Sequence, residues 1–267
     1  MIRFRFELRP LDEVLPWGRD QPRLHWFGLT EGRYWIEVGK HRLLRRRTRD
    51  DRPHPCVDYY LARLWEDVNV LTPDVLESVP ADLMAFIASE PAQWVCDWLG
   101  FVHDGREDVD PESPDHPVVT AAIWHGEHYL DFGYLRNPPR VRLWRAVHGD
   151  SDRITVDWRH DDDGEIGFTA GPTVRISVST TEYLEAVREL DRELMATMRQ
   201  RVDELQRRGG LPGVDLDLAS LRREHDDRAG WLASNLDRSR KTDWDAVREG
   251  AQQLLGNTRH PDAPTAN

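Results

Sequence analysis

Leu24-His25-Trp26-Phe27-Gly28-Leu29-Thr30-Glu31-Gly32-Arg33-Tyr34-Trp35-Ile36-Glu37-Val38 places aromatic and β-branched residues on either side of a two-residue Glu31-Gly32 link. Gly supplies the positive φ that primed hairpin turns require, so the stretch predicts a β-hairpin. The register follows: Leu29 faces Tyr34, Gly28 faces Trp35, Phe27 faces Ile36 and His25 faces Val38. Alternation then gives Leu29, Tyr34, Phe27, Ile36, His25 and Val38 to the core side. Trp26, Arg33, Trp35 and Glu37 fall on the other face, with Gly28 leaving room for the Trp35 indole. Trp26, Arg33 and Trp35 are therefore the candidate binding surface.

Upstream, Ile2 to Leu8 alternates as a strand and Pro10 to Pro22 is a proline-punctuated connection. Phe4-Arg5-Phe6-Glu7-Leu8-Arg9-Pro10-Leu11, Pro16-Trp17-Gly18, and the hairpin stretch with its Gly32 and Tyr34-Trp35-Ile36 resemble a family of actinobacterial proteins of unknown function. The resemblance is clearest over the first forty or so residues. It implies a bacterial origin and a compact domain, and it carries over no catalytic residue. Arg33 stands where the family pattern has an aromatic, which interrupts an aromatic platform on that face.

Downstream, Lys40 to Arg52 is a basic run, read as a solvated strand end and loop in preference to an anion contact. Val57 to Leu71 carries Tyr60, Leu64, Val68 and Leu71 at helical spacing. Pro80 and Pro91 suit the first turns of two short helices, the second presenting Trp94, Val95, Trp98 and Leu99 and stopping at Gly100. The acidic, proline-bearing segment 105–117 reads as a linker or loop between an N-terminal region, 1–104, and a second region, 118–210.

That second region predicts an antiparallel meander. Its strands are Val118–Trp124, His128–Leu135, Val141–Val147, Arg153–Arg159, Glu165–Thr169 and Thr173–Ser179. Ser179 with Glu182 forms a capping box that opens a helix to about Arg208. Its seam of Tyr183, Val187, Leu190, Leu194, Met198, Val202 and Leu205 is roughly 40 Å long. Two C-terminal helices fill 211–256, about Leu216–Leu236 and one capped by Thr242, and 257–267 reads as a disordered tail. The expected class is α+β: an N-terminal hairpin region with helices, then a meander covered by the long helix and the C-terminal helices.

Composition narrows function by exclusion. The 267 residues carry a net charge of −12, with 31% charged and 39% hydrophobic residues and 11 tryptophans. Excess negative charge disfavours a general nucleic-acid surface or an anionic membrane and is compatible with a basic protein partner. Met1 to Glu7 has no continuous apolar segment, no apolar run is long enough to span a bilayer, and Cys56 and Cys96 form no CxxC motif. A cytoplasmic protein is expected. Oligomeric state is left open.

The chemical candidates are few. In Trp124-His125-Gly126-Glu127-His128-Tyr129, a Gly126-Glu127 turn would oppose His125 and His128 across a strand pair, close enough to share a divalent metal. Glu127 would be a candidate base, and Asp131 would point to the other face. The zinc-protease pattern, two His at i and i+4 on a helix, is absent. Asp161-Asp162-Asp163-Gly164-Glu165 fails the calcium-loop test, because Arg159 would occupy the first ligand position and Ala170 the twelfth. The sequence has no nucleophile elbow and no phosphate loop. Cys56 with His54 reads as structural, and His225 among Glu224, Asp226 and Asp227 reads as the solvated face of a helix. The leading expectation is a non-catalytic protein-binding or regulatory module without a cofactor, in its most specific form an immunity-type neutraliser of a basic partner. The alternative is a metal-dependent hydrolase using His125 and His128.

Overall fold

A computed structural model describes residues 1–47, 55–94, 116–238 and 240–256. The fold is α+β. Strand β1 (Ile2–Leu8) pairs antiparallel along its whole length with Gly32 to Val38 of β2 (Glu31–Val38), with Phe4 opposite Ile36, Phe6 opposite Tyr34 and Leu8 opposite Gly32. The other edge of β2 is shared by β3 (His41–Leu43) and β4 (Val57–Tyr60). Tyr34, Ile36 and Val38 point into the core and Arg33, Trp35 and Glu37 point out, as alternation requires.

The partner of β2 is the correction. Leu24–Thr30 is not a strand, and Gly28–Thr30 forms a short 3-10 turn that feeds directly into β2. Gly32 is not a turn residue: it lies inside the ladder, where a Cβ would meet the Glu7 carbonyl oxygen at 2.4 Å. The glycine permits two backbones to approach and does not reverse the chain.

Helix α1 (Leu61–Leu76) follows β4 and buries Leu64, Trp65, Val68 and Leu71. A short α2 (Met84–Ile87) comes next. Val118–Trp124, expected as a strand, lies in helix α3 (Pro117–Gly126). Pro117 occupies its first turn and the His116 imidazole caps it by accepting from the Val118 amide at 3.2 Å. Its β-branched residues are outweighed by packing: the backbone of α7 (Trp244–Gly256) comes so close at Gly250 that a Cβ there would lie 2.0 Å from the Pro117 carbonyl oxygen.

The second sheet has the order β5 (Tyr129–Leu130), β6 (Arg140–His148), β7 (Ser151–Arg159), β8 (Thr173–Ser179), all antiparallel. The expected strand 128–135 shrinks to two residues. Glu165–Thr169 contributes only the Phe168 bridge to Arg46.

Ser179 caps α4 (Thr180–Arg208) through the reciprocal Ser179–Glu182 box, and Gly209 ends it at φ 72°. Every residue of its predicted seam is buried. The helix lies against β1, α1, the ends of β7 and β8, and α5 (Leu218–Arg228). Arg201 ties it to the N-terminal segment, donating from Nη1 to the Leu29 carbonyl at 2.6 Å and from Nη2 to that of Arg9. After α6 (Trp231–Leu236), α7 is capped by Asp243, whose carboxylate accepts from the Asp245 and Ala246 amides; Thr242 instead donates to Glu77.

One core joins both sheets. Ile2, Tyr34 and Ile36 share it with Val141, Trp158, Leu190 and Met198, while Phe86, Trp94, Trp124, Trp144 and Leu254 form a smaller cluster under α3 and α7. Among the described residues no helix is long and apolar enough to cross a membrane. His54, Val95, Cys96, Trp98, Leu99, most of the linker segment and the tail lie outside the described residues.

Candidate functional site

The outer face of α1 forms one wall of a cleft of about 740 Å³. Arg63, Glu66, Asp67, Val70 and Asp74 line it at spacings of three, four and seven, so they share one stripe of the helix. Trp231 and Asn235 from α6 stand opposite, and Glu127, Tyr129 and Asp131 close one end beside Arg238 and Arg240. Five carboxylates thus meet three guanidinium groups.

The carboxylates are unequally satisfied. Arg240 pairs with both Asp74 and Glu127, and Arg228 with Glu66. Arg63 hydrogen-bonds Asp131, which also accepts from the Gly133 amide at 2.8 Å. Among the described residues Asp67 pairs only with Arg63, whose Nε lies 3.8 Å from Oδ1, and its Oδ2 is buried with no hydrogen-bond partner. Burial raises the Asp67 pKa to about 7. Arg63 opposes this, and the charges of Asp131 and Glu66 add to it. Asp74 rises to about 6 by burial, against Arg240 and with Glu127. The Tyr129 hydroxyl, also on the lining, is a second buried group without a hydrogen-bond partner among the described residues.

The Trp231 wall is held from behind. Its indole stacks on Trp65 with centroids 5.4 Å apart, and the Arg228 guanidinium lies 4.6 Å from the Trp231 ring and 4.4 Å from that of Trp26. Trp231 lines the cleft and remains 38% exposed.

The sequence-predicted residues scatter across the molecule. Trp26 is fully buried and donates to His225 Nδ1 at 3.4 Å, so it does not share a surface with Arg33 and Trp35; those two sit together on the outer face of β2. His225, expected on a solvated helix face, is buried as well. Glu127 does reach the cleft, at the C-terminal cap of α3.

His125 and His128 do not face each other across strands, because the turn between them is the end of α3. His125 Nε2 accepts from Arg142 Nη1 at 2.7 Å, and His128 Nδ1 donates to the Trp124 carbonyl at 2.8 Å. Both imidazoles are held neutral. Burial lowers His125 to about 3, aided by the charges of Arg142 and His128, and lowers His128 to about 4. A cation already occupies the approach to His125 that a metal would need. Among the described residues no group of three His, Cys, Asp or Glu is placed to hold a metal ion.

Arg142 belongs to a buried network. It binds Asp157 at 3.0 Å and the Ser89 carbonyl at 2.6 Å, and Arg159 and Arg175 also converge on Asp157. Burial raises the Asp157 pKa, but the hydrogen bonds from Arg175 and Arg142 outweigh it and leave the net shift downward. This network fastens β6, β7 and β8 to the segment before α3.

Sequence reading missed Asp67, Asp74 and Trp231. The available signal was the polar stripe of α1, in which acids recur at helical spacing beside the apolar stripe. Partner-deficiency at Asp67 depends on tertiary burial and left no trace in the pattern.

Comparison with curated proteins and with solved structures finds no match. A family model does match, spanning residues 3–250, nearly the whole chain. The protein therefore belongs to that family, DUF5984, a family of unknown function.

Proposed function

We propose that this chain is a non-catalytic protein-binding module of an actinobacterial cytoplasm, and that the cleft beside α1 receives a cationic side chain of a basic protein partner. One observation carries this reading: Asp67 lines a cleft of about 740 Å³, with a carboxylate oxygen that has no hydrogen-bond partner among the described residues and a pKa raised to about 7. Oδ2 itself is buried, so an incoming guanidinium or ammonium would meet the exposed edge of the Asp67 side chain, where its charge favours the ionised form. Trp231 offers that cation an indole face on the opposite wall. The net charge of −12 would steer such a partner toward the protein. Neutralisation of a basic toxin domain, an immunity-type role, is the most specific form of this proposal.

The hydrolytic alternative finds less support, since both histidines on which it was built are engaged and neutral. The test is titration of the full chain with a hexa-arginine peptide at low salt. Asp67→Asn should weaken binding at least fivefold, whereas Asp150→Asn, which removes the same charge from an exposed strand turn, should leave it within twofold. Equal loss in both variants would reduce the interaction to net charge and defeat the reading.

A further inference from the structure

The outer face of the first sheet holds a second hollow, of about 290 Å³, with chemistry opposite to that of the acidic cleft. Arg33 and Trp35 project into it from alternate positions of β2, and Arg42, from β3, and Arg45 border it with Glu7 and Cys56. Three guanidinium groups thus surround one carboxylate, in a chain whose total charge is −12. Their neutralisation is incomplete. Arg33 approaches Glu7 only at 4.0 Å, Arg42 shares Glu37 with Arg5, and the Arg45 guanidinium has no carboxylate partner among the described residues.

The indole of Trp35 is half-buried, and its Nε1 is fixed by donation to Glu37 Oε1 at 3.2 Å, which holds the ring in place. A fixed aromatic face beside incompletely neutralised, fork-shaped donors suits a ligand with two parts, a flat ring for the indole and an anionic group for the arginines. The volume admits a small molecule, not a folded chain.

We propose that this hollow is a binding site for a small organic anion carrying a planar ring, with the ring against Trp35 and its phosphate or carboxylate among Arg33, Arg42 and Arg45. The site is separate from the acidic cleft and does not depend on the reading of that cleft. Nucleoside phosphates and aromatic carboxylates share this chemistry.

Cys56 on the lining supplies a reporter. The full chain is alkylated with iodoacetamide at constant ionic strength, alone or with AMP, benzoate or inorganic phosphate, and Cys56 labelling is followed by peptide mass spectrometry. Protection of at least fivefold, saturable in AMP or in benzoate and much weaker in phosphate, is expected; which of the two protects identifies the anion class. Arg45→Gln, which removes a guanidinium that makes no ion pair among the described residues, should abolish the protection, and Trp35→Leu should reduce it. Calorimetric titration of AMP and benzoate into the wild type and Arg45→Gln reads binding even where the thiol reacts slowly. Absence of binding by both ligands, equal protection by phosphate alone, or undiminished binding in Arg45→Gln would overturn the proposal.

Discussion

His125 Nε2 and Arg142 Nη1 lie 2.7 Å apart, an imidazole accepting from a buried guanidinium. Protonating His125 would place two cations in contact, so the ring stays neutral far below its ordinary range, at about 3, and His128 does so at about 4. The unfolded chain takes up protons at both sites below about pH 6.5 and the folded chain does not, so their contribution falls as pH drops through that window. His125→Gln keeps an acceptor for Arg142 and removes one titration. Its urea-unfolding free energy relative to wild type should rise by up to about 1.4 kcal/mol for each pH unit between 6.5 and 4. A difference independent of pH would contradict the neutral assignment.

Asp67 acts in the opposite direction. Its pKa is raised from 3.8 to about 7, so the folded chain binds the proton more tightly, and ionisation costs stability as pH rises through that range. The groups facing it are Arg63 and Glu66 on its own helix, Asp131 at the cleft end, and Tyr34 and Tyr134, whose hydroxyls meet at 2.5 Å and whose own pKa values feel its charge. Allowing for solvent in the open cleft, Asp67→Asn should gain about 1–2 kcal/mol at pH 8 and almost nothing near pH 4. Chemical denaturation at the two pH values checks this, and a loss at pH 8 would mean that Arg63 satisfies the carboxylate.

Arg228 joins Trp26 and Trp231 to Glu66 and Glu224. Arg228→Met retains the apolar stem and removes the charge. A loss of about 1–2 kcal/mol is expected, with a red shift of tryptophan emission as Trp231 detaches from Trp65. Unchanged emission would show that the wall stands without the cation.

Gly32 faces Leu8 across the β1–β2 ladder, and a Cβ there would also lie 2.7 Å from the Leu8 Cα. Backbone atoms on both contacts cannot rotate away. Gly32→Ala should therefore cost about 3 kcal/mol and lower the melting temperature by roughly 6–12 °C. A neutral substitution would favour a looser pairing of β1 and β2.

These contacts also show what was legible in the sequence. The alternation of Tyr34, Ile36 and Val38, the Ser179–Glu182 box and the Tyr183–Leu205 seam are local signals, and each appears in the fold as read. The pairing of β2 was not legible. A Glu31-Gly32 pair between aromatic and β-branched runs looks like a turn, whereas Gly32 answers a contact with Leu8 more than twenty residues away. Likewise Val118, Val119 and Ile123 carry strand propensity, yet α3 is fixed by the His116 cap and by close approach to Gly250, a contact that spans more than a hundred residues. Once that helix formed, the two histidines parted from their predicted partnership. Glu127 alone of the predicted chemical residues reached the cleft, because it follows directly from the end of α3.

The central claim is that the cleft recognises a cation through Asp67, and proton linkage tests it most directly. Hexa-arginine peptide is titrated into the full chain at pH 7 in two buffers of different ionisation enthalpy. With its pKa at about 7, Asp67 is half protonated before binding, so each binding event should release roughly half a proton. The release should disappear in Asp67→Asn together with most of the affinity. Tight binding without proton release, retained in that variant, would place the peptide elsewhere and contradict the account.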